Sequence, residues 1–361
     1  MFYHFLFPLR ELFSPLNIFQ YITFRSAGAI LTSLIISFVA GPYLIAYLKK
    51  LKIGQTIRAD GPPTHLAKSG TPTMGGLLIL VSLVISTLLW ARLDNRFIML
   101  VLSGTLWLGF LGFWDDYLKL VKKNPKGLEP QKKFLGQFVF ALAVAVYMWY
   151  NPSQVDYASK INIPYLKNVF LDLNLGYILF IVLVIVGSSN AVNLTDGQDG
   201  LAVGNLIIAA MTLSLFAYFS GHMKIAHYLR VVPVPGAGEL SVFLAALVGS
   251  GIGFLWYNAY PAQVFMGDTG SLFLGGALGL VAVLIKQEII LVIIGGVFVV
   301  ETVSVILQVY SFRHFGKRIF KMAPIHHHFE LSGLAEPKVT VRFWIIGIIL
   351  ALVALASLKL R

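Results

Sequence analysis

Five short stretches of the chain hold most of the side chains that could do chemistry. FWDDYLK places Asp115 beside Asp116, and NAVNLTDGQDGLA gathers Asn190, Asn193, Asp196 and Asp199 within ten residues. NAYPAQVFMGDTGS presents Asp268 next to two glycines, and MAPIHHHFE carries His326, His327 and His328. The loop at 49–73 holds Lys68 and the turn Gly70-Thr71-Pro72-Thr73. Neighbouring carboxylates at a helix end repel one another unless a cation lies between them. Mg²⁺ takes one or two carboxylates together with phosphate oxygens and keeps several waters, so a diphosphate with Mg²⁺ would supply that cation. A glycine-flanked aspartate just before a helix turns backbone N–H groups toward an anion, so Asp268 could serve both metal and phosphate. Lys68 would act as a point charge on phosphate. The chemistry these groups share is phosphoryl transfer, where positioning and charge neutralisation do most of the catalytic work.

Each element also has a plainer reading. Asp268 before Thr-Gly-Ser suits a helix N-cap, and Asp196-Gly197 is a common turn dipeptide. Asp115 and Asp116 could simply end a helix in solvent. Three successive histidines on a helix do not share one face, which disfavours a structural transition metal. The lysines of 119–133 read as a topology determinant or a lipid-headgroup contact with no catalytic role. Glu301, deep in an apolar run, is costly unless paired, and is read as support for the site or as the partner of another polar group.

The elements that must position these residues follow from composition. Of 361 residues, 57% are hydrophobic and only 12% charged. An ordinary soluble domain has roughly 45–50% and about 25%. Too few charges are present to solvate a globule, and disorder, collagen and a disulfide scaffold are excluded. With no cysteine, thiol catalysis and thiolate metal sites are excluded too. The apolar blocks match a bilayer core of about 30 Å. The expected fold is an all-α polytopic membrane protein, a single integral membrane domain over 1–361, with about ten transmembrane helices. The spans are Ala27–Leu48, Met74–Ala91, Phe97–Trp114, Phe134–Tyr150, Gly176–Val192, Leu201–Phe219, Leu240–Asn258, Ser271–Ile285, Ile289–Tyr310 and Val341–Leu358. Residues 1–26, aromatic and broken by Pro8 and Pro15, lack the basic leader and small-residue cleavage site of a signal peptide and read as an interfacial segment.

Ten spans put both termini on one face and the connections 49–73, 115–133, 193–200, 259–270 and 311–340 on the other. Counting Arg342, 17 of the 28 Lys and Arg lie on that second face, and no segment of the first holds more than two. Basic loops stay inside, so the second face is expected to be cytoplasmic and the termini periplasmic. The net charge of +12 is then a matter of topology, and no nucleic-acid partner is expected. The longest outer connection, 151–175, contains KINIPYL, whose alternation suggests a small hairpin. The cytoplasmic loop at 311–340 holds the histidine motif, and all five chemistry-bearing stretches fall on this one face.

TPTMGG, FWDDYLK, NAVNLTDGQDGLA, FMGDTGS and APIHHHFE, in this order, closely resemble the phospho-N-acetylmuramoyl-pentapeptide transferase family (translocase I). That family belongs to the polyprenyl-phosphate N-acetylhexosamine-1-phosphate transferases, and the resemblance spans almost the whole chain. The histidine motif points to the muramoyl-pentapeptide branch. No motif position departs from the family pattern, although Gln198 stands where an apolar residue is common. The resemblance implies a multi-pass enzyme of the bacterial inner membrane, with a cytoplasmic active site and a homodimeric assembly among membrane lipids. It would transfer phospho-MurNAc-pentapeptide from UDP-MurNAc-pentapeptide to undecaprenyl phosphate, giving lipid I and UMP, with Mg²⁺ as cofactor. By the same resemblance Asp268 is the Mg²⁺ ligand, and Asp115 and Asp116 handle the lipid phosphate as base or cation support. Asn193, Asp196 and Asp199 form the nucleotide-side shell, with Asn190 among the substrate-binding residues. Phe265 offers a ring for uracil, with Lys68 and Thr73 beside it. His326, His327 and His328 contact the diphosphate or the sugar-peptide portion, His327 counted among the catalytic residues. Direct attack of the lipid phosphate on the β-phosphoryl needs only orientation and metal, and the alternative passes through a phospho-aspartate on Asp196 or Asp268.

Rival readings differ in where they place acids. A cation-coupled transporter would carry them near mid-membrane and often show two repeated halves, and no repeat is visible here. An intramembrane aromatic prenyltransferase would show two Asp-rich motifs of similar spacing, which DDYLK and TDGQD do not make. A sister enzyme using UDP-N-acetylglucosamine is separated only by substrate.

Overall fold

In lipid a helix is the economical structure, because it satisfies every backbone N–H and C=O within one segment. A computed structural model describes residues 1–51, 68, 70–120, 122, 127–166 and 169–359. Most of the loop expected at 49–73 and part of the lysine run lie outside these residues. Among them the α-helices are α1 (Phe2–Leu6), α2 (Ile22–Lys50), α3 (Gly76–Trp90), α4 (Arg96–Leu120), α5 (Pro130–Tyr150), α6 (Gly176–Thr195) and α7 (Leu201–Gly221). They continue with α8 (Met223–Leu229), α9 (Leu240–Asn258), α10 (Gly267–Leu284), α11 (Glu288–Ile294), α12 (Gly296–Phe315), α13 (Ile325–Glu330) and α14 (Glu336–Ala356). Nine are long and apolar enough to cross a membrane, and α3 is a shorter apolar helix. With α3 they make the ten expected spans. The ninth differs: it breaks at Gly295 into α11 and α12, which a single apolar run did not reveal.

Two helices form the centre. α9 and α10 are buried along nearly their whole length, whereas α2, α5, α12 and α14 lie at the periphery. Without a hydrophobic drive between helices in lipid, close approach depends on small residues. α10 meets α6 this way: a Cβ at Gly275 would sit 2.3 Å from the Ser188 carbonyl oxygen, and one at Gly279 would sit 2.1 Å from Ser188 Oγ. Polar side chains join the same layers, Ser189 Oγ donating to the Leu272 carbonyl at 2.8 Å.

At the end where α4 begins, Arg25 of α2 makes a bidentate ion pair with Glu239, both contacts 2.6 Å and both groups buried. Phe2 and Phe19 pack on Trp90, at ring-centroid distances of 5.0 and 6.1 Å. Between α5 and α6, β1 (Lys160–Asn162) and β2 (Phe170–Asp172) pair antiparallel with Lys160 opposite Asp172.

Candidate active site

The end of α4 and the start of α10 bring Asp115, Asp116 and Asp268 together, so that one oxygen of each lies within 4.8 Å of the others. The approach is a backbone one. A Cβ at Gly112 would fall 2.1 Å from the Asp268 carbonyl oxygen, so only glycine lets α4 lie this close. A helix leaves its first N–H groups without partners. Here Asp116 accepts them from across the interface, from Thr269 N at 2.8 Å and Asp268 N at 3.3 Å, and it also accepts Thr269 Oγ1 at 2.6 Å. The capping role that sequence allowed to Asp268 therefore belongs to Asp116, and the Asp268 side chain is turned to other partners. Gly267, at φ +74°, makes the turn into α10.

Those partners are cations and an amide. Lys119 Nζ donates to Asp268 at 2.7 Å and to Asp115 at 2.6 Å. Lys133 Nζ donates to Asp268 at 2.9 Å and stands 3.7 Å from Asp115. Asn193 Nδ2 donates to Asp268 at 2.7 Å and to Ser271 Oγ at 2.9 Å. Leu128 N donates to Asp115 at 2.6 Å. Two of the lysines read as topology determinants, Lys119 and Lys133, are thus part of the cluster. Lys119 could have been found from its i,i+4 spacing to Asp115; Lys133, in the first turn of a different helix, left no such signal. Three carboxyl groups here face two ammonium groups. Mg²⁺ takes hard oxygen donors, one or two of them carboxylates, together with phosphate oxygens and waters, and these side chains supply donors of that kind.

Asp196 follows α6, with Gly267 N close to its carboxyl. Burial, reinforced by Asp268, Asp116 and Asp199, pushes its carboxyl up to about 8. Thr73 is buried with its hydroxyl against Gly267, where a Cβ would come within 2.9 Å of it. The segment before α3 is bonded to the segment before α10 through main chain alone: Phe265 N to Pro72 O, Gly75 N to Phe265 O and Gly76 N to Met266 O, each 2.8 Å.

A second cluster adjoins the first. Lys68 Nζ donates to Asp199 at 2.7 Å and to Glu336, and Glu336 also accepts Asp199 N at 2.8 Å. Asp199 further accepts Ala262 N at 2.9 Å. Burial opposes the Lys68 charge, but its hydrogen bonds to Asp199 and Glu336 more than offset that and hold its pKa above the ordinary value. The ammonium lies 5.9 Å from the centre of the half-buried Phe265 ring. Glu336, at the start of α14, was not anticipated; nothing in its local sequence marks it.

The other expected residues have partners of their own. Asn190 Nδ2 donates to Gln137 Oε1 at 2.7 Å, joining α6 to α5 one turn from Asn193 and Lys133. His326 is fully buried: Nδ1 lies 3.1 Å from Glu301, and Nε2 faces Gly197, whose Cβ would fall 2.3 Å away. Glu301 has the polar partner its depth required. His327 Nδ1 lies 3.0 Å from Glu330, and His328 Nδ1 accepts Lys321 N at 3.2 Å.

Comparison with known proteins gives the family. Residues 98–286 match the family model for glycosyl transferase family 4, and residues 68–80 match phospho-N-acetylmuramoyl-pentapeptide-transferase signature 1. The chain is 61% identical to the phospho-N-acetylmuramoyl-pentapeptide-transferase of Endomicrobium trichonymphae, with both chains covered completely. Proteins of the same name from Citrifermentans bemidjiense and Syntrophus aciditrophicus are 56% and 57% identical, again over all of both chains. A polytopic bundle that ends in this cluster of carboxylates and lysines, and that keeps such identity from end to end, belongs to the phospho-N-acetylmuramoyl-pentapeptide-transferase family.

Proposed function

We propose that the chain transfers phospho-MurNAc-pentapeptide from UDP-MurNAc-pentapeptide to undecaprenyl phosphate, releasing UMP and forming lipid I, at a site facing the cytoplasm. The observation that carries this reading is the gathering of Asp115, Asp116 and Asp268 within 4.8 Å, beside Lys119 and Lys133, at one end of a membrane bundle. The excess of Lys and Arg on that face supports its cytoplasmic orientation.

Asp268, with Asp115 or Asp116, would hold Mg²⁺, which when bound supplies charge neutralisation for the diphosphate and the departing UMP. Asp116 keeps the start of α10 fixed through Thr269, and Asn193 orients Asp268. Lys119 and Lys133 stand where phosphate charge gathers. Lys68, Asp199, Glu336 and Phe265 form the nucleotide end, with Thr73 beside Gly267 between the two clusters. Asp196 steadies the Gly267 turn, and His326 acts on the neighbouring Gly197. His327 and His328 lie on the sugar-peptide side, while Asn190 acts through α5. An oxygen of the lipid phosphate attacks the β-phosphorus, the bond from that phosphorus to the oxygen shared with UMP breaks, and the electron pair leaves with UMP. Direct attack is favoured because it needs only orientation and charge neutralisation, and a phospho-aspartate on Asp196 or Asp268 is the alternative. The family reading extends to a homodimer, which mass measurement in detergent tests.

The test is UMP release by purified protein with undecaprenyl phosphate and Mg²⁺, comparing UDP-MurNAc-pentapeptide with UDP-N-acetylglucosamine. Release that requires the muramoyl substrate and stops with EDTA is expected. Release with UDP-N-acetylglucosamine alone would overturn the substrate, and no release with either would overturn the reaction.

A further inference from the structure

The end of the bundle opposite the carboxylates holds a cavity of about 360 Å³, bordered by Arg92, Asp94, Asn95, Arg96, Gly236 and Glu239. Arg96 opens α4 and Asp115 nearly closes it, so the two places lie about 28 Å apart at 1.5 Å per residue. Helix beginnings surround the cavity: α2 at Ile22, α4 at Arg96, and the turn Ala237–Glu239 leading into α9. Each contributes the positive end of its dipole.

The charges on the rim are not balanced. Glu239 is committed to Arg25 through two 2.6 Å contacts and also accepts Arg92 N at 3.2 Å. Arg92 Nη2 donates to Asp94 at 2.7 Å. Arg96 donates only to main-chain carbonyls, Pro152 O at 3.0 Å and Asn151 O at 3.5 Å, and no carboxylate among the described residues lies within 4 Å of it. Asn95 fixes the loop that presents both arginines, accepting Phe97 N at 2.8 Å and donating to Gly236 O at 2.9 Å. The cavity is therefore bordered by one exposed arginine without a counter-anion among the described residues and by a second shared with an exposed aspartate.

Its height along the bundle suggests the ligand. Trp90, Phe2 and Phe19 form an aromatic group beside it, the Tyr3 ring lies 4.8 Å from the Arg92 guanidinium, and α5 ends in Trp149 and Tyr150 next to the carbonyl that holds Arg96. Aromatic belts mark the level of lipid headgroups. We propose that this cavity binds the headgroup of an aminophospholipid, its phosphate on Arg96 and Arg92 and its ammonium on Asp94.

The test uses the full-length protein in detergent, delipidated and then titrated with phosphatidylethanolamine, phosphatidylglycerol or inorganic phosphate while native mass spectrometry counts bound ligand. One saturable phosphatidylethanolamine per chain is expected, bound more tightly than phosphatidylglycerol and far more tightly than inorganic phosphate. Loss of a charge-assisted hydrogen bond predicts about tenfold weaker binding in Arg96→Gln. Asp94→Asn should remove the preference for phosphatidylethanolamine over phosphatidylglycerol. A phosphatidylethanolamine bearing a headgroup photo-crosslinker gives a second measurement on the unaltered chain, with labelling expected at 92–97 and 235–239. Wild-type affinity in Arg96→Gln, labelling elsewhere, or equal binding of inorganic phosphate would overturn the proposal.

Discussion

Gly267→Ala separates the geometry of the carboxylate cluster from backbone strain. Gly267 sits at φ +74°, and an added Cβ would lie 2.7 Å from Asp116 Oδ2 and 2.9 Å from Thr73 Oγ1. Ordinary C···O contacts begin near 3.3 Å, so one side must yield by about half an ångström. Asp116 has little freedom to do so, since Thr269 holds its carboxylate through both N and Oγ1. A catalytic constellation must be held to within about 0.5 Å, and a 1 Å misplacement can cost about a hundredfold. The expected loss of kcat is therefore about tenfold to a hundredfold. Alanine at positive φ adds a folding cost of roughly 1–2 kcal/mol. Gly316→Ala supplies the control: φ is +64° and nothing lies within 4 Å of its Cβ position. Both variants should lose similar thermal stability in detergent, but only Gly267→Ala should lose UMP release. Gly267→Ala turnover within about threefold of wild type, well short of the tenfold minimum expected for a half-ångström displacement, would refute the claim that Asp116 and Thr73 define this turn.

Four further outcomes are expected. Asp268→Ala should abolish UMP release while the protein stays monodisperse; near-normal turnover would remove Asp268 from the metal assignment. Gly197→Ala would drive a Cβ to within 2.3 Å of the His326 ring, which Glu301 holds from its other side. At least about a tenfold fall in turnover should follow, and unchanged kinetics would detach the buried histidine from the site. Glu336→Gln weakens the hold on Lys68 and Asp199, and initial-rate kinetics should show a raised KM for the UDP substrate with little change in kcat; the opposite split would place Glu336 nearer the chemistry. Arg25→Met leaves Glu239 buried without its ion-pair partner, a loss of about 3–5 kcal/mol. It should appear as a lower unfolding midpoint, largely restored by adding Glu239→Gln, and failure of that rescue would show that Arg25 acts through packing.

What sequence could reveal depended on the range of the interaction. The spans were readable because lipid demands long apolar runs, and the shared face of Asp115, Asp196 and Asp268 followed from counting them. The break at Gly295 was hidden, since α11 and α12 are both apolar and the interruption is one residue long. Lys119 was visible in principle, but a lysine-rich loop has an adequate explanation in topology, and that reading concealed the ion pair. Lys133, Glu336 and the Asp116 cap on α10 join residues more than a hundred positions apart in sequence, and no local pattern encodes such pairings. Asp268 illustrates the difficulty: its residue type and position suited an N-cap, and only the packing of α4 showed that another aspartate fills that role.

The three main-chain hydrogen bonds between residues 72–76 and 265–266 have a consequence for how this protein tolerates change. A side-chain contact disappears with one codon, but an amide and a carbonyl are present whatever residue is encoded. The seam joining residues 72–76 to residues 265–266 is therefore indifferent to most substitutions at 72, 265 and 266. Proline at 265 is an exception, because it removes a donor, and so is any side chain at 75 or 76, where a Cβ would fall 2.9 Å from the Phe265 carbonyl oxygen or 2.2 Å from Gly270 N. Drift in the pocket's side chains can alter what is bound there while the relative placement of the two segments is inherited unchanged.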